Sequence, residues 1–189
     1  MKKVEIKSEK RILNDFLKVD EVHLSVEKFD GSMSSEVRRL VLERGDSVAA
    51  LVYHEDWKEF VLVNQFRYPT YKKGPGWITE LVAGTLEEGE SPGACMRREL
   101  EEEIGYNTSI LTHISTFYVS PGGTSERIHL YYATINEALK VSEGGGLATE
   151  NEDILMERYN RNNLMEALKN GEIQDAKTII ALMWLQNRK

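Results

Sequence analysis

The stretch Gly84-Thr85-Leu86-Glu87-Glu88-Gly89-Glu90-Ser91-Pro92-Gly93-Ala94-Cys95-Met96-Arg97-Arg98-Glu99-Leu100-Glu101-Glu102-Glu103-Ile104-Gly105-Tyr106 reads as a loop followed by one sharply bounded helix. Ser91 can cap that helix, Pro92 fits the first helical position, where a missing N–H costs nothing, and Gly105 suits the C-terminal stop. The predicted helix therefore runs from about Pro92 to Ile104. Met96, Leu100 and Ile104 recur every four residues and make one apolar stripe, the side that faces a core. Glu99, Glu102 and Glu103 sit at i, i+3 and i+4, so their carboxylates converge on a neighbouring face. At an effective dielectric of ~20 and a separation of ~4 Å, a buried pair of them would cost about 4 kcal/mol, against a few tenths on a solvated face. The arrangement is either an inexpensive solvated face or a costly one that a bound cation relieves.

Around this stretch the chain is acidic: 31 Asp and Glu against 24 Lys and Arg give a net charge of −7 over 189 residues. That balance argues against a general nucleic-acid binder, whose footprint is basic. The excess is local, with seven glutamates between Leu86 and Ile104 against Arg97 and Arg98 alone. The one cysteine, Cys95, excludes an intrachain disulfide framework and a cysteine-built zinc cage, and it reads as a small packing residue. Oxygen ligands without competing His or Cys suit Mg²⁺ or Mn²⁺, which implies a phosphate-bearing substrate. No apolar run approaches the roughly 18–20 residues of a membrane span, and the N-terminus lacks the apolar stretch of a secretory signal, so the expectation is a cytoplasmic protein without a membrane partner.

Residues 1–45 read as an N-terminal β-rich extension and 46–189 as the main domain. In the extension Val22, Leu24 and Val26, then Val37, Leu40 and Leu42, alternate with polar residues about a turn at Phe29-Asp30-Gly31, as in a small antiparallel meander. Ser47–Tyr53 and Glu59–Gln65 form a hairpin candidate. Trp77–Val82 is one short strand leading into Ala83-Gly84, and strands return at Ile110–Val119 and Arg127–Thr134. Helices are expected over Arg161–Asn170, stopping at Gly171, and from about Asp175 to Leu185. Strands outnumber helices in mixed order, which favours an α+β fold. The four histidines, His23, His54, His113 and His129, have no ligand-like spacing and read as surface or strand residues.

The segment Gly84–Glu90, seven further residues, then Arg98–Tyr106 resembles the Nudix box, G-x5-E-x7-R-E-U-x-E-E-x-G-U with U aliphatic. Every fixed position matches, and Tyr106 at the last aliphatic site is the single departure. The resemblance implies the Nudix α/β/α sandwich with a mixed sheet, preceded here by the small antiparallel β domain, and a box that binds divalent metal, Mg²⁺ or Mn²⁺, two or more ions per site. Carried over residue by residue, Glu99 and Glu103 are principal ligands, Glu102 is shared or bridging, and the Ala83 carbonyl is the ligand that is not a side chain. Glu90 and Arg98 brace the loop and helix.

Flanking segments resemble the ADP-ribose and nucleoside-diphosphate-sugar pyrophosphatases of that family: Ser35–Arg39, Gln65-Phe66-Arg67, Ser120–Arg127, Gly146–Ile154 and the Asp175–Gln186 tail. By that resemblance Arg67 contacts phosphate, although a structural salt bridge is the competing reading of an arginine after an apolar strand. Ser120, Gly122 and Glu126 belong to a substrate-binding turn, which taken alone is simply a turn. Phe16 and Arg39 match positions that reach the nucleoside from a second subunit, with Phe16 stacking on the base unless it is core. The extension would then build a homodimer by exchange across a two-fold axis. The polar, Gly-rich Lys140–Asp153 loop suits a mobile lid. Within it Glu150 aligns with the general base and Glu152 with its acidic neighbour, completing a catalytic set with Glu103. The implied reaction is hydrolysis of ADP-ribose to AMP and ribose 5-phosphate. Asp175-Ala176-Lys177-Thr178 leans toward GDP-mannose or another nucleotide sugar, and a silent nucleotide-binding module would be marked by an incomplete box, which this is not.

Overall fold

A computed structural model describes residues 2–108 and 110–188; Met1, Ser109 and Lys189 lie outside the described residues. The chain divides into two compact units, Met1–Asp46 with Tyr118–Arg127, and Ser47–Phe117 with Ile128–Lys189.

The first unit is an antiparallel sheet of β1 (Val4–Asn14), β2 (Lys18–Val26) and β3 (Val37–Glu43), with Val22 opposite Glu9 on one side and Arg39 on the other. The meander turns where expected: the Asp30 carboxylate accepts the Ser32 N–H at 2.9 Å, and the Gly31 N–H donates to the Lys28 carbonyl at 3.1 Å. The Tyr118–Arg127 segment joins this unit through backbone, with the Leu42 N–H donating to the Gly123 carbonyl at 2.8 Å. Val4, Ile6, Ile12, Leu13 and Leu40 all leave apolar surface exposed on these strands.

The second unit is built on a sheet ordered β10-β5-β4-β9-β8, with β6 on β5 and β7 on β4. Its strands are β4 (Ser47–His54), β5 (Glu59–Phe66), β6 (Trp77–Glu80), β7 (Val82–Thr85), β8 (Leu111–Tyr118), β9 (Arg127–Ile135) and β10 (Leu155–Tyr159). β4 pairs antiparallel with β5 and β7 and parallel with β9, so the sheet is mixed. Among the described residues four α-helices accompany it: α1 (Tyr68–Tyr71), α2 (Pro92–Ile104), α3 (Arg161–Asn170) and α4 (Ala176–Gln186). Successive residues of β4 face opposite layers. Val48, Ala50 and Val52 meet Met96, Leu100 and Ile104 of α2, while Ala49 and Leu51 meet Leu164 of α3 and Leu182 of α4. Both faces are covered, which is why Val48–Val52 is an unbroken apolar run with no exposed surface. The result is the expected α/β/α sandwich.

Three elements differ from the sequence reading, the four-residue helix α1 having no counterpart in it. Trp77–Val82 is not one strand: the Leu81 N–H leaves the sheet and donates to Thr178 Oγ1 at 3.0 Å, so the chain steps from β5 to β4 at that point. Gly84 and Thr85 consequently lie in β7 rather than in a loop. The strand β10 was not anticipated, because Glu157 and Arg158 interrupt its apolar pattern; it is an outer strand of the sheet, where charge is tolerated. No helix among the described residues is long and apolar enough to cross a membrane.

Candidate active site

The local chemistry of α2 is as its sequence dictates. Ser91 Oγ accepts the Ala94 N–H at 3.3 Å, Pro92 occupies the first turn, and Gly105 closes the helix at φ 79°. A Cβ at Gly105 would lie 2.2 Å from the Ser142 carbonyl oxygen, so a side chain is excluded there by space as well as by conformation. The Val141 and Ser142 N–H groups donate to the Gly105 carbonyl, and Gly145 and Gly146 donate to the Glu103 and Glu102 carbonyls at 2.9 and 3.0 Å. The carbonyls that any helix end leaves open are thus taken up by the following loop. The first half of the Lys140–Asp153 segment is therefore latched to α2 rather than free to move as a lid.

The acidic face of α2 lies against β7. Glu103 Oε2 accepts the Ala83 N–H at 3.3 Å, and an ideal Cβ on Gly84 would fall 1.8 Å from the Glu99 carboxyl carbon. Glycine at 84 is thus what lets the Glu99 carboxylate rest on the strand backbone. Glu99 and Glu103 are buried, and the Glu102 side chain is 23% exposed. Burial, only partly offset by Arg98 and reinforced by Glu102 and Glu152, pushes the Glu99 carboxyl up to about 7. Burial and the neighbouring Glu99 charge drive the Glu103 carboxyl well above its ordinary range, against the opposing Ala83 N–H. The burial of Glu99 and Glu103 removes the inexpensive solvated face for these two carboxylates.

One cation tempers this face. Arg98 Nη1 donates to Glu99 Oε1 at 2.7 Å and to Glu102 Oε2 at 3.0 Å, while Nε and Nη2 grip the two oxygens of Glu90 at 3.2 and 3.1 Å. Arg98 holds the Glu90 carboxyl below its usual range. Arg98 and Glu90 are braces, as the box implied. Cys95 is buried beneath them and its thiol is pushed up to about 12, chiefly by burial, which makes it a packing group.

Among the described residues no group of three or more His, Cys, Asp or Glu side chains encloses a cation. The donor set nevertheless fits a hard divalent ion: carboxylate oxygens only, two of the groups buried and pushed up chiefly by that burial, Glu103 also by the Glu99 charge, beside the Ala83 backbone. A divalent charge would reverse the repulsion between them.

The remaining sequence-derived residues fall in different places. Glu152 Oε2 accepts the Leu147 N–H at 3.0 Å, and its charge bears on both Glu99 and Glu103. Glu150 lies at the end of a short 3-10 turn, Ala148–Glu150, with its side chain exposed. Arg67 donates from Nε to Glu80 Oε1 at 2.8 Å and is otherwise 43% exposed. Phe16, Arg39, Ser120, Gly122 and Glu126 belong to the first unit. There Phe16 is 88% exposed, which removes the core reading. The Arg39 guanidinium reaches the Arg38 carbonyl, the Ser120 carbonyl accepts the Gly123 and Thr124 N–H groups, and buried Glu126 stands 3.6 Å from Arg44.

Glu80 was not singled out from sequence, and Lys177 was read only as part of the Asp175-Ala176-Lys177-Thr178 motif. Glu80 is buried and receives both Arg67 and Lys177, and Lys177 also donates to Asp175 Oδ1 at 2.9 Å. Burial alone would lower the Lys177 ammonium, but Glu80 and Asp175 more than compensate. For Glu80 the sequence signal was a single acid inside the apolar run Trp77-Ile78-Thr79-Glu80-Leu81-Val82.

Known proteins agree with this geometry. The model of the NUDIX domain matches residues 43–181. An ADP-ribose pyrophosphatase of Escherichia coli (strain K12) is 37% identical over 184 residues, covering 97% of this chain and 88% of that protein. A GDP-mannose pyrophosphatase of Cronobacter sakazakii is 33% identical over 187 residues, covering 98% and 96%. The crystal structure of an ADP compounds hydrolase superposes with a TM-score of 0.74 at 20% identity, covering 97% of this chain and 92% of that one, a likeness of fold. With a family model matched over most of its length and a relative 37% identical across nearly all of it, the chain belongs to the NUDIX family and is a hydrolase of phosphoanhydride bonds.

Proposed function

We propose that this chain hydrolyses the diphosphate of ADP-ribose to AMP and ribose 5-phosphate, with Mg²⁺ or Mn²⁺, two or more ions per site, as cofactor. The observation that carries the reading is the burial of Glu99 and Glu103 against the Ala83-Gly84 backbone, a carboxylate pair that costs free energy unless a cation joins it. Glu99, Glu102, Glu103 and the Ala83 carbonyl would hold the ions. When bound, such ions neutralise the diphosphate and lower the pKa of a water. Arg98 keeps Glu99 and Glu102 aligned, and Arg67 offers phosphate the guanidinium edge that Glu80 does not use. A carboxylate of the 150–152 turn takes the proton of the attacking water; the charge of Glu152 reaches the cluster, and Glu150 stands two residues away. Phe16 and Arg39 are assigned to the nucleoside from a second subunit, with Ser120, Gly122 and Glu126 as further substrate contacts. The exposed apolar side chains of β1 support a homodimer built by residues 1–45.

GDP-mannose is the second reading, favoured by one observation: Asp175 and Lys177 of the Asp-Ala-Lys-Thr tail complete the ion network that holds Arg67. The test is product analysis on ADP-ribose, GDP-mannose, ADP-glucose and NADH with each metal. A clear preference for ADP-ribose is expected, and comparable rates on all four would remove it. A purified Glu99→Gln, Glu103→Gln variant should retain its fold and lose turnover by orders of magnitude. Undiminished turnover in that variant would overturn the catalytic reading itself.

A further inference from the structure

On the opposite face of the sheet from α2, a cavity of about 330 Å³ opens between the β4–β5 hairpin, β9 and the neighbouring ends of α3 and α4. That volume is of small-molecule size. Its walls are aromatic: Tyr53 and Phe60 have ring centroids 5.2 Å apart, and Tyr132 and Trp184 lie 5.6 Å apart. Lys58, Arg161 and Arg188 also line it.

Two of these cations are anchored, and among the described residues none is paired with a carboxylate. Lys58 sits in the hairpin at φ 57°, a left-handed conformation that a side chain rarely adopts. Arg161 Nη2 donates to the Leu185 and Arg188 carbonyls at 2.9 and 3.1 Å, which anchors the guanidinium while leaving its other N–H groups without a protein partner among the described residues. The Arg188 guanidinium stands 4.2 Å over the Trp184 ring. Among the described residues none of the three forms an ion pair, although the chain holds seven more acids than bases, 31 against 24. By contrast Arg158, on the next strand, is paired with Glu59 at 2.7 Å.

Aromatic walls beside three uncompensated cations describe a ligand with a flat ring at one end and a compact anion at the other. A neutral ring compound would leave the cations unused, and inorganic phosphate would leave the walls bare. We propose that this cavity is a second, non-catalytic site for a nucleoside monophosphate. Its base lies among Tyr53, Phe60, Tyr132 and Trp184, and its phosphate meets Lys58, Arg161 and Arg188. The site is separate from the carboxylate cluster and does not depend on which diphosphate the chain splits.

The test uses the full chain and AMP. Photo-crosslinking with 8-azido-AMP, followed by peptide mapping, should label segments containing Tyr53, Tyr132 or Trp184. In calorimetry the Lys58→Gly, Arg188→Ala variant, altered only at exposed positions, should lose at least tenfold in AMP affinity at this site while its turnover without AMP stays unchanged. Adenosine and inorganic phosphate should each bind the wild-type cavity at least tenfold more weakly than AMP. Label confined to segments outside the cavity, or equal AMP affinity in variant and wild type, would overturn the proposal.

Discussion

The missing side chain of Gly84 is filled by the carboxylate of Glu99: a Cβ there would stand 1.8 Å from Oε1 and 2.4 Å from Oε2. Strand β7 and helix α2 therefore meet at the proposed metal site, with no slack between them. Gly84→Ala must push the carboxylate away, and a shift of about 1 Å in a catalytic group can cost on the order of 100-fold in rate. Turnover of that variant is expected to fall by that order with the circular dichroism spectrum retained, and wild-type turnover would contradict this relationship.

Glu150 and Glu152 are separable by substitution. Loss of a general base lowers rate by roughly 10²–10⁴-fold. The resemblance puts the general base at Glu150 and makes Glu152 its neighbour, but the charge that bears on Glu99 and Glu103 is that of Glu152, so Glu152→Gln is expected to show the larger loss in kcat at saturating metal. A larger loss in Glu150→Gln would move the base to the exposed turn.

Leu100 has no exposed surface and joins α2 to the β4 face of the core. Leu100→Ala is expected to destabilise the protein by about 2–5 kcal/mol through lost burial and the cavity left behind. Urea denaturation measures it directly, with the midpoint falling and the slope unchanged.

His54 gives a pH dependence whose sign can be worked out. It is fully buried, stacked on Trp57 at 3.6 Å, with Nε2 lacking a hydrogen bond and standing 3.7 Å from Glu137. Burial lowers its pKa from the ordinary 6.5, with Glu137 opposing. The unfolded chain then takes up the proton first as pH falls, so stability present above 6.5 is lost on descending through the interval to the lowered folded value. His54→Phe should flatten the part of the stability curve that falls away below pH 6.5. An unchanged slope would show that other groups set it.

Much of this molecule is written locally. The bounds of α2, α3 and α4 follow from Ser91, Asn160 and Asp175 as N-caps and from Gly105 and Gly171 as stops, interactions made within a few residues. The alternation along β2 and β3 and the apolar run of β4 were equally legible, because periodicity reports which face is covered. The spacing of Glu99, Glu102 and Glu103 named the candidate site. β10 was missed because its residues Glu157 and Arg158 take their partners from elsewhere: Glu157 accepts from Thr79 Oγ1 at 3.0 Å, and Arg158 donates to Glu59 at 2.7 Å.

By itself the sequence determined the helix, its acidic face and the family, since each rests on short-range order along one element. Only the tertiary structure decided that the face is buried, because that depends on Gly84 admitting the Glu99 carboxylate. It alone brought Lys177 to Glu80 across 97 residues and split the Trp77–Val82 run at Leu81. Helix caps and periodicity are properties of neighbours in the chain, whereas the free energy of a carboxylate depends on whatever the folded chain sets around it.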